Sequence, residues 1–320
     1  MRVTNGMMVN NMLRDMNNNI SRMDSIQQSM ATGKKFTRPS QDPIGTSRSL
    51  RLNTDISKME QYKRNVEDAQ SWMNTTEIAV GDISDILQRA KELTVQAANE
   101  TYSQDQRNAV ASEIEELKKQ LISIGNMNYA GSYIFSGYKT NQPLLDSTGK
   151  YDLGSTTAVL DPSENINIDI GVGDMMAVNF VGQRVFGVSS IANPYGNPLS
   201  STSPANHGDS TQLIGTFDQL ISDLNSGNMT GINSALGRIE SHLTNVNAVR
   251  AELGVKSNRL ELTINRIGAD TENLKTLLSK NEDADMSEVI MNLNMSENVY
   301  KASLAASARI ITPTLTDFLR

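Results

Sequence analysis

After Pro39 and Pro43 the chain carries no proline until Pro143, and after Pro204 none until Pro313. Proline removes a backbone donor and clashes with the preceding helical turn, so two long stretches without it are free to be helical throughout. Apolar spacing points the same way. Val9, Leu13, Met16, Ile20, Met23, Ile26 and Met30 follow one another in threes and fours, a single stripe on one helix face that Thr32 and Gly33 end. A loop from Gly33 leads to Pro43, a residue suited to a first helical turn. The stripe then resumes at Leu52, Ile56, Met59, Tyr62, Val66, Ala69 and Met73 and continues to Ala97. From Ile44 to Glu100 such a helix would be roughly 85 Å long at 1.5 Å per residue, which suits a rod or coiled coil better than a globular core.

A third helix is expected to open on a capping box, Ser103 with Gln106, and to close at Gly125 after Val110, Ile114, Leu117, Leu121 and Ile124. The carboxyl half answers with a short helix around Leu213, Phe217, Leu220 and Leu224. A long one follows from Ile232 to Leu278, with an interruption between Asn281 and Asp285. The last helix opens with Asp285 and Glu288 as a second capping box and carries Met286, Ile290, Leu293, Tyr300, Leu304, Ile311, Leu315 and Phe318.

Between these arms the composition changes. Gly125 to Gly208 holds 11 of the 21 glycines and five of the eight prolines, the make-up of strands and turns. Ile166, Ile168, Ile170 and Val172 alternate with polar residues before Gly173 and Asp174, which predicts a hairpin turning there into Met175 to Val181. The fold expected is mainly α with a β-rich insertion: a long antiparallel coiled-coil rod made by both ends of the chain, with the β domain at its tip. The divisions are residues 1–42 (terminal helix and loop), 43–130 (rod helices), 131–208 (insertion), 209–281 (returning rod helices) and 282–320 (terminal helix).

Composition narrows the chemistry. In 320 residues there is no cysteine and there are two histidines, so thiolate nucleophiles, disulfides, zinc ribbons and two-histidine metal motifs are excluded. The net charge of −7 argues against a surface built for nucleic acid or anionic lipid. The longest apolar run, Met175 to Val178, spans no membrane, and no secretory signal is expected in the first thirty residues. Gly171 and Gly173 read as turn glycines rather than a dinucleotide loop. Ser40 and Asp42 read as turn or cap residues, Glu115 and Glu116 as a solvated helix face, His207 as a loop residue and His242 as a helix-surface residue. No catalytic residue, cofactor or metal is expected. Ten of the sixteen methionines lie in the two terminal helices, where an unbranched thioether fills a seam or adapts to more than one neighbour.

Several motifs carry a family resemblance: the opening Met1-Arg2-Val3-Thr4, Thr32-Gly33-Lys34-Lys35, and the loop Arg38-Pro39-Ser40-Gln41-Asp42-Pro43-Ile44-Gly45. Tyr133-Ile134-Phe135-Ser136-Gly137-Tyr138, Ala308-Arg309-Ile310-Ile311 and Leu315-Thr316-Asp317-Phe318-Leu319 follow in order. Together they resemble the flagellin-like axial proteins of bacterial flagella, and the hook-associated members among them. Gln41 departs from that pattern, which has an acid there. The resemblance implies a structural adaptor at the hook-filament junction, exported unfolded through the flagellum's own channel to an extracellular site. It also implies terminal helices that fold against neighbours during assembly. The implied partners are further copies in a ring, another hook-associated protein on the hook side, flagellin on the filament side, and a cytosolic export chaperone on the C-terminal helix. The residues expected to form the assembly interface are Val9, Leu13, Met16, Ile20, Met23, Met30, Ile290, Leu293, Tyr300, Leu304, Ile311, Leu315 and Phe318. Arg38, Pro39, Ser40, Asp42 and Pro43 form the signature loop. The alternatives are the filament flagellin itself and, from another class, a cytosolic coiled-coil scaffold or signalling protein.

Overall fold

The computed structural model describes residues 5–99, 101–154, 159–161, 163–189 and 204–310. In chain order the elements are α1 (Asn5–Thr32), α2 (Pro43–Ala97), α3 (Gln104–Gly125), β1 (Asn128–Tyr129), β2 (Ser132–Tyr133), β3 (Val159–Leu160), β4 (Asn167–Gly171), β5 (Asp174–Ala177), α4 (Gln183–Phe186), β6 (Ala205–Asn206), α5 (Gln212–Ser226), α6 (Met229–Glu282) and α7 (Met286–Ile310). The chain divides into two compact units, Met1–Glu60 with Ala269–Arg320, and Gln61–Gly268.

The larger unit has the core. Val66, Met73, Val80, Ile83, Leu87 and Ala90 of α2 are buried, as are Ile114 and Leu121 of α3, Leu213, Phe217 and Leu220 of α5, and Ile232, Ile239, Val246 and Leu253 of α6. These are the stripe positions, and their removal from water is the main stabilising term. Ion pairs tie the outer faces together: Arg89 to Glu113, Lys91 to Glu240 and Lys118 to Asp218, at 2.7, 2.9 and 2.7 Å. All are solvent-facing and contribute little each. The helix ends follow local chemistry. Ser103 and Gln106 form the expected capping box on α3, and Gly227 closes α5 with φ 67°, a left-handed position that costs glycine nothing.

The central segment is β-containing, with short strands. Three two-stranded antiparallel ladders pair β1 with β2, β3 with β6, and β4 with β5. The hairpin turns one residue earlier than its alternation suggests: Gly171 pairs with Asp174, leaving Val172 and Gly173 as the loop, and Gly173 takes φ 73°. The turn is set by the glycine that can reach positive φ, not by where the apolar alternation ends. Around the ladders, Phe135 and Phe186 meet edge to face at 6.2 Å, and the buried Tyr151 hydroxyl donates to Gly187 O at 2.8 Å. The hairpin is held by Asn65 of α2, which donates to Asp169 O, and by Arg259 of α6, which pairs with Asp174 at 2.8 Å.

His242 is a correction. It is not on the helix surface but buried, with 3% exposure, and Nε2 lies 3.3 Å from Thr216 Oγ1 of α5. Its neighbours along the stripe, Ile239 and Val246, carry it inward, because a residue three or four positions from a core position shares its face. His207 does lie in a loop, where its Nδ1 accepts from Leu153 N.

Candidate assembly surface

The smaller unit is built around α1 and α7. These helices pack on each other, with Asn19 Nδ2 donating to Ser303 Oγ across the pair at 3.4 Å. On α1, Val9, Met16 and Met23 are half-buried, while Leu13, Ile20 and Met30 are 46%, 43% and 39% exposed. On α7, Leu293 and Tyr300 are half-buried, and Ile290 and Leu304 are exposed. Ile311, Leu315 and Phe318 lie outside the described residues. Among the described side chains of the two helices no hydrophobic group reaches the core; only Ser307 does. One helix therefore covers part of the other's stripe and leaves the rest in water. Met7, Met8, Met286, Met291, Met295 and Val299 add to the uncovered area. An open groove follows the pair, lined by Ile26, Asn292, Met295 and Val299.

Below this pair the chain is clasped. Gly33 takes φ 71° as α1 ends, and the following residues bond to the break between α6 and α7: Lys35 N to Glu282 O at 2.7 Å, and Ala284 N to Gly33 O at 2.8 Å. The Lys34 ammonium pairs with Asp283 at 2.8 Å and Glu282 at 3.2 Å. The hydrogen bond to Asp283 holds the Lys34 ammonium above its usual range, and the same bond holds the Asp283 carboxyl below its own. Asn281 completes the clasp by donating to Gly45 O and Ser49 Oγ at 2.9 and 2.8 Å. Nothing in the local spacing pointed to it, since its partners stand more than 230 positions apart. The Asp285 half of the second capping box is made, its Oδ1 accepting from Ser287 N and Glu288 N.

The signature loop is a folded turn. Asp42 Oδ1 accepts from Gly45 N at 2.9 Å and so caps α2, with Pro43 in its first turn. Gln41 Oε1 accepts from Thr37 N and Arg38 N at 2.7 and 3.2 Å, so its amide supplies the acceptor that an acid would. Arg38, Pro39 and Ser40 are exposed. Phe36 is buried against Gly45, where an added Cβ would stand 2.7 Å from the Phe36 ring and overlap the Asp42 carboxylate. Gly45→Ala is expected to destabilise the smaller unit by about 1–3 kcal/mol through overpacking. Thermal melting beside the exposed control Ser47→Ala measures it, and equal melting of the two would show that the loop gives way freely.

Among the described residues no group of three or more metal-ligating side chains is assembled, and no described helix is long and apolar enough to cross a membrane. Glu115 and Glu116 sit in water beside Lys119. What the described surface offers is apolar area for burial.

Two family models match this chain, the bacterial flagellin N-terminal helical region over residues 3–140 and the C-terminal helical region over 236–319. Flagellar hook-associated protein 3 of Escherichia coli is 28% identical over 94% of this chain and 96% of its own. A flagellin of Bacillus subtilis is 29% identical over 97% and 96%. In three dimensions the flagellar junction protein FlgL of Legionella pneumophila has the same fold, with a TM-score of 0.55 and 20% identity over 74% of this chain and all of that one. Helical arms that match at both ends, a β-containing segment between them and similarity along nearly the full length place the chain in one family: it belongs to the flagellin-like axial proteins of the bacterial flagellum.

Proposed function

We propose that this chain is the structural adaptor joining the hook side of the flagellum to the flagellin filament, with no catalytic role. It works outside the cell as part of the flagellum, and copies of it form a ring through the faces of α1 and α7. The observation that carries this reading is the paired terminal helices with their uncovered apolar seam, a surface that neighbours would bury. Val9 to Met30 on one helix, Ile290 to Leu304 on the other, and Ile311, Leu315 and Phe318 farther along the sequence are its contact residues. Another hook-associated protein meets the ring on one side and flagellin on the other, and a cytosolic chaperone holds the C-terminal helix before export. The five divisions 1–42, 43–130, 131–208, 209–281 and 282–320 serve as terminal layer, rod, insertion, rod and terminal layer.

The runner-up is the filament flagellin, since a flagellin is as similar in sequence as the hook-associated relative. The Arg38 to Pro43 loop favours the adaptor. Deleting the gene separates the two. The adaptor reading expects hooks without filaments and flagellin released into the medium, seen by electron microscopy and immunoblotting. Filaments of normal length, or loss of all flagellin from the medium, would sink it.

A further inference from the structure

The clasp layer of the smaller unit presents two unlike surfaces. Beside the break between α6 and α7 lies a groove of about 830 Å³, between the last turns of α1 and the first turns of α7. Ile26 and Val289 give it apolar lining, and Asp283, Asp285, Glu288 and Lys35 line it as well. Lys34 engages Asp283, and the Lys35 ammonium donates to Lys280 O at 2.9 Å. Asp285 and Glu288 are exposed and have no ion pair among the described residues. Met286 and Ile290 of the open seam directly follow two of these lining residues, Asp285 and Val289.

The second surface is the start of α2. Asn281 donates to Gly45 O and Ser49 Oγ, which fixes those two residues toward the end of α6. Ile44 and Arg48 each stand one position earlier, about 100° round the helix, and Arg51 shares their side. Ile44 is 83% exposed, and Arg48 and Arg51 are exposed without an ion pair among the described residues. The three border a shallow groove of their own with Pro43 and Ser47. We infer that this basic start of α2 on one copy seats in the acidic groove of the next, Ile44 against Val289 and the two arginines toward Asp285 and Glu288. Each surface offers apolar area beside charge of the opposite sign. Both lie at one level of the molecule, because the bonds from Asn281 and from Lys35 N to Glu282 O tie the start of α2 to the break that the groove borders. One copy therefore meets the next by rotation without climbing along the helices, as a closed ring requires. The halves differ, so each copy gives one face and receives the other, and the contact passes round the ring instead of ending in a two-fold pair. Exposed ion pairs are individually weak, so the contact is slight between two free chains and gains strength by repetition. The inference rests on the assembly reading above and adds which surfaces the copies use.

The cysteine-free chain makes the test clean. Ser47 and Ser287 are exposed and adjoin Arg48 and Glu288, so replacing them leaves the charges in place. Full-length copies carrying Ser47→Cys or Ser287→Cys, under different tags, are expressed together in a strain without the native gene, and the flagella are treated with a short bis-maleimide. A crosslink is expected between the two different variants and not in flagella built from either one alone. Charge reversal gives the second arm. Arg48→Glu or Glu288→Arg alone is expected to lower incorporation about tenfold, and both in one chain to restore most of it. Where thermal melting shows that a reversal unfolds the chain, the crosslink decides. Three outcomes would overturn the contact while leaving the adaptor reading intact: flagella that carry filaments but show no mixed crosslink, a crosslink within flagella of one variant alone, or folded reversal variants that are no better combined than single. Failure of the gene deletion to remove filaments would overturn the adaptor reading itself.

Discussion

Replacing Ile290 or Leu13 by Asp is expected to abolish filament attachment while leaving the chain folded. Both side chains are close to half exposed in the single chain, at 48% and 46%, so each has little left to lose there. A surface change of this kind alters stability by about 0.5 kcal/mol or less. In the proposed assembly the same positions face a neighbour. Burying a carboxylate without a partner where an apolar group belongs costs about 3 kcal/mol or more, over a hundredfold in each association step. The cost recurs at every copy around the ring. Electron microscopy counts hooks with filaments, and thermal melting of the purified variants reports the fold. Ile290→Leu preserves apolar area and is expected to retain attachment. Normal filaments on the Ile290→Asp strain would remove α7 from the contact surface.

The second large effect comes from His242. Burial, with a smaller contribution from Arg238 one turn away, pushes its imidazole down from 6.5 to about 4. The unfolded chain therefore takes up a proton at a pH where the folded chain does not. Stability from this group is fully present above pH 6.5 and is lost progressively as pH falls toward 4, by about 3 kcal/mol in all. For a unit of this size that corresponds to a drop of about 10 °C in Tm. His242→Gln cannot titrate, so its curve should be flatter across the same window. Carboxylates such as Glu252, held low chiefly by its hydrogen bond to Arg184, also lose their contribution in acid, but equally in both proteins. Parallel losses in the variant and the parent would show that His242 does not govern the acid limit.

How much of this was legible beforehand depends on the range of the interaction involved. Helices α1, α2, α3 and α6 could be traced because burial on one face imposes a three-four spacing over many turns, and their ends because Pro43, the Ser103 and Gln106 pair, and Gly125 act within one turn. The hairpin was legible as a hairpin. Its turn was displaced by one residue because a short strand has too few alternations to set register against a glycine able to take positive φ. His242 was misplaced for a related reason: a histidine between stripe positions has no local mark that separates a buried ring from a surface one. The clasp of Lys34 on Glu282 and Asp283 left no mark at all, since it joins residues nearly 250 positions apart. In the candidate surface, the stripe residues could be named from spacing. Which of them one helix would cover and which it would leave in water depended on how α1 and α7 meet.

The central claim is that the apolar seam left open on α1 and α7 is buried by neighbouring copies in the flagellum. With no native cysteine in the chain, the single substitutions Leu13→Cys and Ile290→Cys report it directly through their rates of reaction with a water-soluble maleimide. The prediction is fast labelling of the free chain at both positions and protection of both in assembled flagella, with Val172→Cys, at an exposed site, reactive in each state. Equal labelling of the Leu13→Cys and Ile290→Cys variants in the free chain and in flagella would contradict it.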